Sequence, residues 1–164
     1  MNIPIRYLPS YLSKKDKVLQ IKSLSKSRKL YQKRSYFERP KLKSFKNKPS
    51  NHIQNAKRIY GVESIVPSRK LSKATGCSLN ALKQIVKKGE GAYYSSGSRP
   101  NQTARSWGLA RLASSITSGK SAAVDWHILE KGCMHQKKAY RLAKQSRKRF
   151  HSGRSHSKRV FLKK

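Results

Sequence analysis

Four short constellations hold residue types that could do chemistry. Ser118-Gly119-Lys120-Ser121 ends like a phosphate-binding loop, in which backbone amides cradle a nucleotide and a lysine reaches its phosphates. That loop needs a glycine at position 114, where this chain has Ser114. It also needs a strand before it, where the apolar spacing predicts a helix. Nucleotide binding of this kind is excluded. Cys77, His127, Cys133 and His135 are metal-ligating types, but their spacing matches no common zinc pattern. Glu63, Glu90, Asp125 and Glu130 are scattered, and no Ser-His-Asp or Cys-His order comes with a nucleophile elbow. These residues predict no catalytic, metal or cofactor site.

Two constellations read better as binding surfaces. Arg69 to Leu82 has the pattern of a helix, a turn glycine at Gly76 and a second helix capped by Ser78. As a helix-turn-helix it would aim Asn80, Lys83 and Lys87 at a DNA major groove. The plainer reading is a structural hairpin, since Gly then Ser joins many packed helices. The loop from Tyr94 to Thr103 is dense in hydrogen-bonding groups. Ser96, Ser98, Arg99, Asn101 and Thr103, with Arg105 beyond, are candidates for holding an anion or a partner. Gly97 admits positive φ there, and the third helix starts just after Thr103. The favoured fate of Arg99 is an internal ion pair with Asp125. The alternative joins Arg99, Arg105 and the helix start around a phosphate or a partner's carboxylate.

The elements that must position these groups follow from caps and periodicity. Ser13-Lys14-Lys15-Asp16 predicts a helix start, with a thin stripe of Val18, Ile21 and Leu24. Pro40, Pro49 and scattered Lys, Ser and Asn predict irregular chain from Tyr36 to Asn55. Pro67 and Ser68 open a short helix that Gly76 closes. Leu79, Leu82, Ile85 and Val86 predict a second helix stopped by Gly89, followed by a loop from Glu90 to Gln102. A third helix runs from Thr103 with Leu109, Leu112, Ala113 and Ile116 on one face, and a fourth from Ser121 to Lys131. Met134 to Phe150 has weak helical support, and the chain beyond His151 reads as disordered unless bound. The fold class is mainly α: a compact helical domain over 59–133, a basic arm with one helix over 1–58, and a basic tail over 134–164.

Charge separates these parts. The chain has 164 residues with 40 Lys or Arg and 6 Asp or Glu, a net charge of +34. Residues 1–58 hold 17 basic and 2 acidic residues, 59–130 hold 10 and 4, and 131–164 hold 13 and none. Such an excess calls for counter-charge from outside: nucleic acid, an anionic membrane face or acidic protein. Two cysteines, Cys77 and Cys133, make no disulfide framework; a reduced intracellular setting is the simpler reading, and a single bridge between them is the alternative. Met1 to Arg6 lacks an apolar signal core, and no run approaches a bilayer span.

The run Gly97-Ser98-Arg99-Pro100-Asn101-Gln102-Thr103, continuing to Ser106-Trp107-Gly108-Leu109-Ala110-Arg111-Leu112, is the most distinctive stretch. With Gly119 to Asp125 it resembles an uncharacterised domain of nucleocytoplasmic large DNA viruses, the chlorella-virus and mimivirus groups, over about residues 60–133. The resemblance implies a virion or virus-factory protein without a known reaction. A basic chain of this size is also similar to minor capsid proteins lining the inner shell of large icosahedral viruses. The expectation is therefore a virion protein made in the host cytoplasm and placed on the capsid's inner face. Its partners would be the major capsid protein and other minor capsid proteins, with nucleic acid or an anionic inner membrane as further contacts of the basic segments. The alternative is a nucleic-acid-binding protein: a DNA-packaging or helix-turn-helix factor, or a protein of ribosomal type.

Overall fold

The computed structural model describes residues 1–153 and 158–161. The chain is mainly helical, as expected, and divides into two compact units. The first comprises Met1–Lys48, Glu90–Ala104 and Ser155–Lys164; the second comprises Pro49–Gly89 and Arg105–Arg154.

In the first unit, β1 (Asn2–Pro4) pairs antiparallel with β2 (Arg159–Phe161), placing Ile3 opposite Val160. Helix α1 (Lys14–Gln32) begins where predicted, with Ser13 Oγ accepting the Asp16 amide at 3.2 Å. Its buried face is Asp16, Gln20, Ser23, Leu24 and Ser27, a helical spacing made mostly of polar side chains. Val18, expected on the apolar stripe, is 51% exposed. Polar burial is stable here because partners are present. Gln20 Nε2 donates to the Tyr7 carbonyl at 3.0 Å, and Asp16 Oδ2 accepts both the Ser44 amide (2.8 Å) and the Ser44 hydroxyl (2.6 Å). Those two bonds hold the Asp16 carboxyl below its ordinary pKa.

The second unit holds α2 (Asn51–Tyr60), α3 (Arg69–Thr75), most of α4 (Leu79–Ser95) and of α5 (Ala104–Ser115), α6 (Lys120–Val124), α7 (Trp126–Gly132) and α8 (Lys138–Phe150). Leu82, Ile85, Leu112, Ile116 and Leu129 are fully buried in its core, with Ala139 and Ala143 of α8. Ser68 caps α3 and Ser78 caps α4, as predicted. Several expectations change. Helix α2 starts at Asn51, inside the stretch read as irregular, because Ala56 with partly buried Ile53 and Tyr60 packs on the core. The expected basic arm over 1–58 thus contains α1 in the first unit and α2 in the second. The tail over 134–164 contains α8, and its residues 154–157 and 162–164 lie outside the described residues.

Cys77 and Cys133 form a disulfide across an isolated antiparallel bridge, their Cα atoms 3.8 Å apart. Ser78 N donates to the Gly132 carbonyl and Met134 N to the Gly76 carbonyl, so the α3–α4 turn is fastened to the end of α7. The cross-link joins residues 56 apart in sequence. In the chain-entropy description such a loop contributes about 4 kcal/mol through the unfolded state.

Gly89 does not stop α4, which runs on to Ser95. Helices α4 and α5 approach so closely that a Cβ on Gly89 would lie 2.6 Å from the Gly108 Cα, which is backbone. Alanine in a helix interior ordinarily stabilises by roughly 0.5–1 kcal/mol over glycine. Here overpacking of about 1–3 kcal/mol should reverse the sign. Gly89→Ala should therefore lower the midpoint of thermal unfolding of the whole chain, read by circular dichroism; a raised midpoint would contradict this contact.

Candidate functional site

The polar loop of the first unit is tied from within. Ser98 is fully buried; its Oγ accepts from Arg39 Nη2 at 2.6 Å and donates to the Arg99 carbonyl at 2.8 Å. Asn101, at φ +58°, accepts the Leu42 amide through Oδ1 and donates to the Leu42 carbonyl through Nδ2, mimicking a strand pairing. Both were candidates for a partner, and both serve the fold instead. Ser96 is exposed, and its carbonyl accepts from Arg28 Nη2 at 3.1 Å. Arg99 and Thr103 are exposed in this unit; Arg105 is exposed in the second. Gly97 takes φ +91°, as anticipated, and a Cβ there would meet Leu24 at 2.7 Å.

Arg39 organises this corner and was not among the candidates. Nη1 donates to Ser27 Oγ of α1 and to the Tyr93 carbonyl at the end of α4. Its backbone amide donates to the Tyr93 hydroxyl, and its guanidinium stacks 3.7 Å from the centre of the Tyr93 ring. Burial lowers its pKa from the ordinary arginine value, with neighbouring tyrosines opposing and Arg28 adding to the fall. The guanidinium stays charged at any physiological pH. Arg28 Nε, by contrast, is buried without a hydrogen-bond acceptor. No sequence signal marked Arg39, because its acceptors are carbonyls and hydroxyls that any segment supplies.

In the second unit the centre is Asp125, fully buried between α6 and α7. Arg111 of α5 grips it with two bonds of 2.8 Å, Nε to Oδ2 and Nη2 to Oδ1. Lys88 Nζ of α4 lies 2.8 Å from Oδ1, and Ser115 Oγ donates to Oδ2 at 3.2 Å. The expected Arg99–Asp125 pair is therefore corrected: Asp125 does close an internal ion pair, but with Arg111 and Lys88. Arg111 carried a usable signal, a lone charge within Leu109-Ala110-Arg111-Leu112-Ala113. Asp125 also divides the expected fourth helix into α6 and α7, its own backbone ending one and beginning the other.

The helix-turn-helix segment is α3, the turn Gly76–Ser78, and α4. Leu82 and Ile85 are buried and Leu79 partly so, while Asn80, Lys83 and Lys87 face outward. Gly119-Lys120-Ser121 opens five-residue α6 after helix α5, with no strand before it. Both cysteines are consumed by their disulfide, so neither thiolate is available to a metal. No described helix is long and apolar enough to cross a membrane.

Residues 4–131 match a family described as a family of unknown function, DUF5824. No curated protein and no solved structure matches the chain.

Burial pushes the Asp125 carboxyl up, but the hydrogen bonds and charges of Arg111 and Lys88 outweigh it and leave the group below its ordinary 3.8. The unfolded chain then binds more protons in that window, so this contribution is complete above the unfolded pKa and is lost as pH falls through the folded one. Asp125→Asn leaves Arg111 unpaired and should cost about 3–5 kcal/mol in denaturant unfolding at neutral pH. The variant should also lose stability less steeply than wild type on acidification below pH 4. Equal acid sensitivity would show that other carboxylates govern it.

Proposed function

The chain belongs to the DUF5824 family, whose function is unknown, and we propose for it a non-enzymatic structural role. In this reading it is a minor capsid protein of a large icosahedral double-stranded DNA virus, cementing neighbouring subunits from the inner side of the shell. The observation that carries the reading is charge left without internal counter-charge. Six carboxylates face 40 cations, and the one fully buried carboxylate is spent on Arg111 and Lys88. Charge of this size destabilises the compact state by self-repulsion, which an external polyanion or acidic partner relieves. The stretches 1–58 and 134–164 hold most of the cations, and the exposed basic faces of these stretches, rather than the sides that pack in the cores, are the partner-facing parts. Mass spectrometry of gradient-purified particles should find the chain at fixed stoichiometry to the main coat protein. Recovery only from infected-cell lysate would overturn the role.

A second reading, nucleic-acid binding through α3 and α4, is favoured by the outward Asn80, Lys83 and Lys87. Specific groove contacts cost roughly 1–3 kcal/mol each when removed and relax sequence preference. If α3–α4 is only a structural hairpin, Lys83→Ala/Lys87→Ala should fold normally and bind all DNA sequences slightly more weakly. A loss confined to one preferred sequence would promote the second reading over the first.

A further inference from the structure

We propose that one face of α1 is a docking site for the sugar-phosphate backbone of nucleic acid. The inference rests on the reading of the chain as a polycation neutralised from outside, and it names the anion and the place. Lys22, Lys26, Lys29 and Lys33 recur at i, i+4, i+7 and i+11, all exposed. With Ser25 and Leu30 they line a groove of about 470 Å³. Eleven residues at about 1.5 Å rise make a row of ammonium groups roughly 16 Å long.

This face is held outward. The opposite side of α1 is pinned by Leu24, Gln20 and Ser27 in the first unit, so the lysines stay on one side of an anchored helix. Lys26 Nζ rests 4.5 Å from the centre of the Phe37 ring, which steadies the middle of the row. The helix has one carboxylate, Asp16, which lies on the buried side and is bonded to Ser44. Nothing within α1 neutralises the row.

The spacing of the cations selects the anion. All four are lysines, compact point charges that each meet a single phosphate oxygen and need no bidentate partner geometry. A row spaced by about one helical turn matches a strand of evenly spaced phosphates. A membrane-surface helix would need a broad apolar face free to enter lipid. On α1 the fully buried Leu24 is already committed to the interior, and Leu30 is the groove's one apolar residue. The contacts carry no base readout, so binding is independent of sequence.

The test measures binding of the full chain to a random-sequence DNA duplex across salt concentrations. Each phosphate contact contributes about 0.9 to the slope of log K against log salt. Lys22→Gln/Lys26→Gln/Lys29→Gln/Lys33→Gln should reduce that slope by about 3–4 and weaken binding more than tenfold, with helix content unchanged. A control with equal charge loss elsewhere, Lys131→Gln/Lys138→Gln/Lys144→Gln/Lys148→Gln, should reduce the slope by less than half as much. Replacing the same four α1 lysines by arginine should restore binding. Equal losses in the two glutamine variants would overturn the site, leaving only diffuse attraction. So would an α1 variant that keeps DNA binding but no longer binds vesicles containing phosphatidylserine. Variant chains that enter particles normally while losing the slope would separate this site from the structural role, which particle composition tests by itself.

Discussion

Asp125 sits at the junction of α6 and α7 with its carboxylate closed off from water, and two other helices reach it: α5 through Arg111 and Ser115, and α4 through Lys88. A bare carboxylate there would carry a prohibitive desolvation penalty. The bidentate arginine makes the burial tolerable, and that bond fixes the distance between α5 and the α6–α7 corner. The crossing of α4 and α5 follows the same logic. Gly89 and Gly108 let two backbones approach until side chains on either would collide, which brings Lys88 and Arg111 to one anion.

The first unit solves a different problem, ordering cations where carboxylates are scarce. Arg39 is satisfied by a carbonyl and two hydroxyls and by the Tyr93 ring, with no carboxylate among these contacts. Neutral acceptors give weaker bonds than carboxylates do, but they need no second charge to be desolvated. The one carboxylate buried in this unit, Asp16, is bonded to Ser44 and ties irregular chain to the start of α1. Asp16 and Asp125, the two buried acids, are thus used as internal fasteners, and most cations are left to the surface. That division links the fold to the proposed role, since a surface so charged is completed by whatever it binds.

The disulfide adds a covalent fastener at the turn that a DNA-reading hairpin would need to present. Cys77 lies in that turn, and its bond to Cys133 together with two flanking backbone hydrogen bonds holds the turn against the end of α7. Asn80, Lys83 and Lys87 remain outward on α4, so the constraint leaves the exposed face of the hairpin intact.

What the sequence determined by itself was local: helix class, the caps at Ser13, Ser68 and Ser78, the apolar face of α4 at Leu82 and Ile85, and the surplus of charge. The caps and the helical face depend on neighbours within a turn of chain, and the surplus of charge on composition alone. The positive φ of Gly97 was legible locally, and the inward role of Asp125 followed from how few acids the small core has. Tertiary structure alone decided the partners. Arg111 and Lys88, rather than Arg99, meet Asp125 because they lie on α5 and α4, two helices drawn together at Gly108 and Gly89, which no spacing rule reports. Ser98 and Asn101 read as binding groups by type and became fasteners because Arg39 and Leu42, 59 residues away in sequence, arrive beside them. Helix α4 passed Gly89 because close packing, rather than chain termination, was what that glycine supplied. Pairings between distant segments follow from which faces bury each other, and that is settled only once the chain has folded.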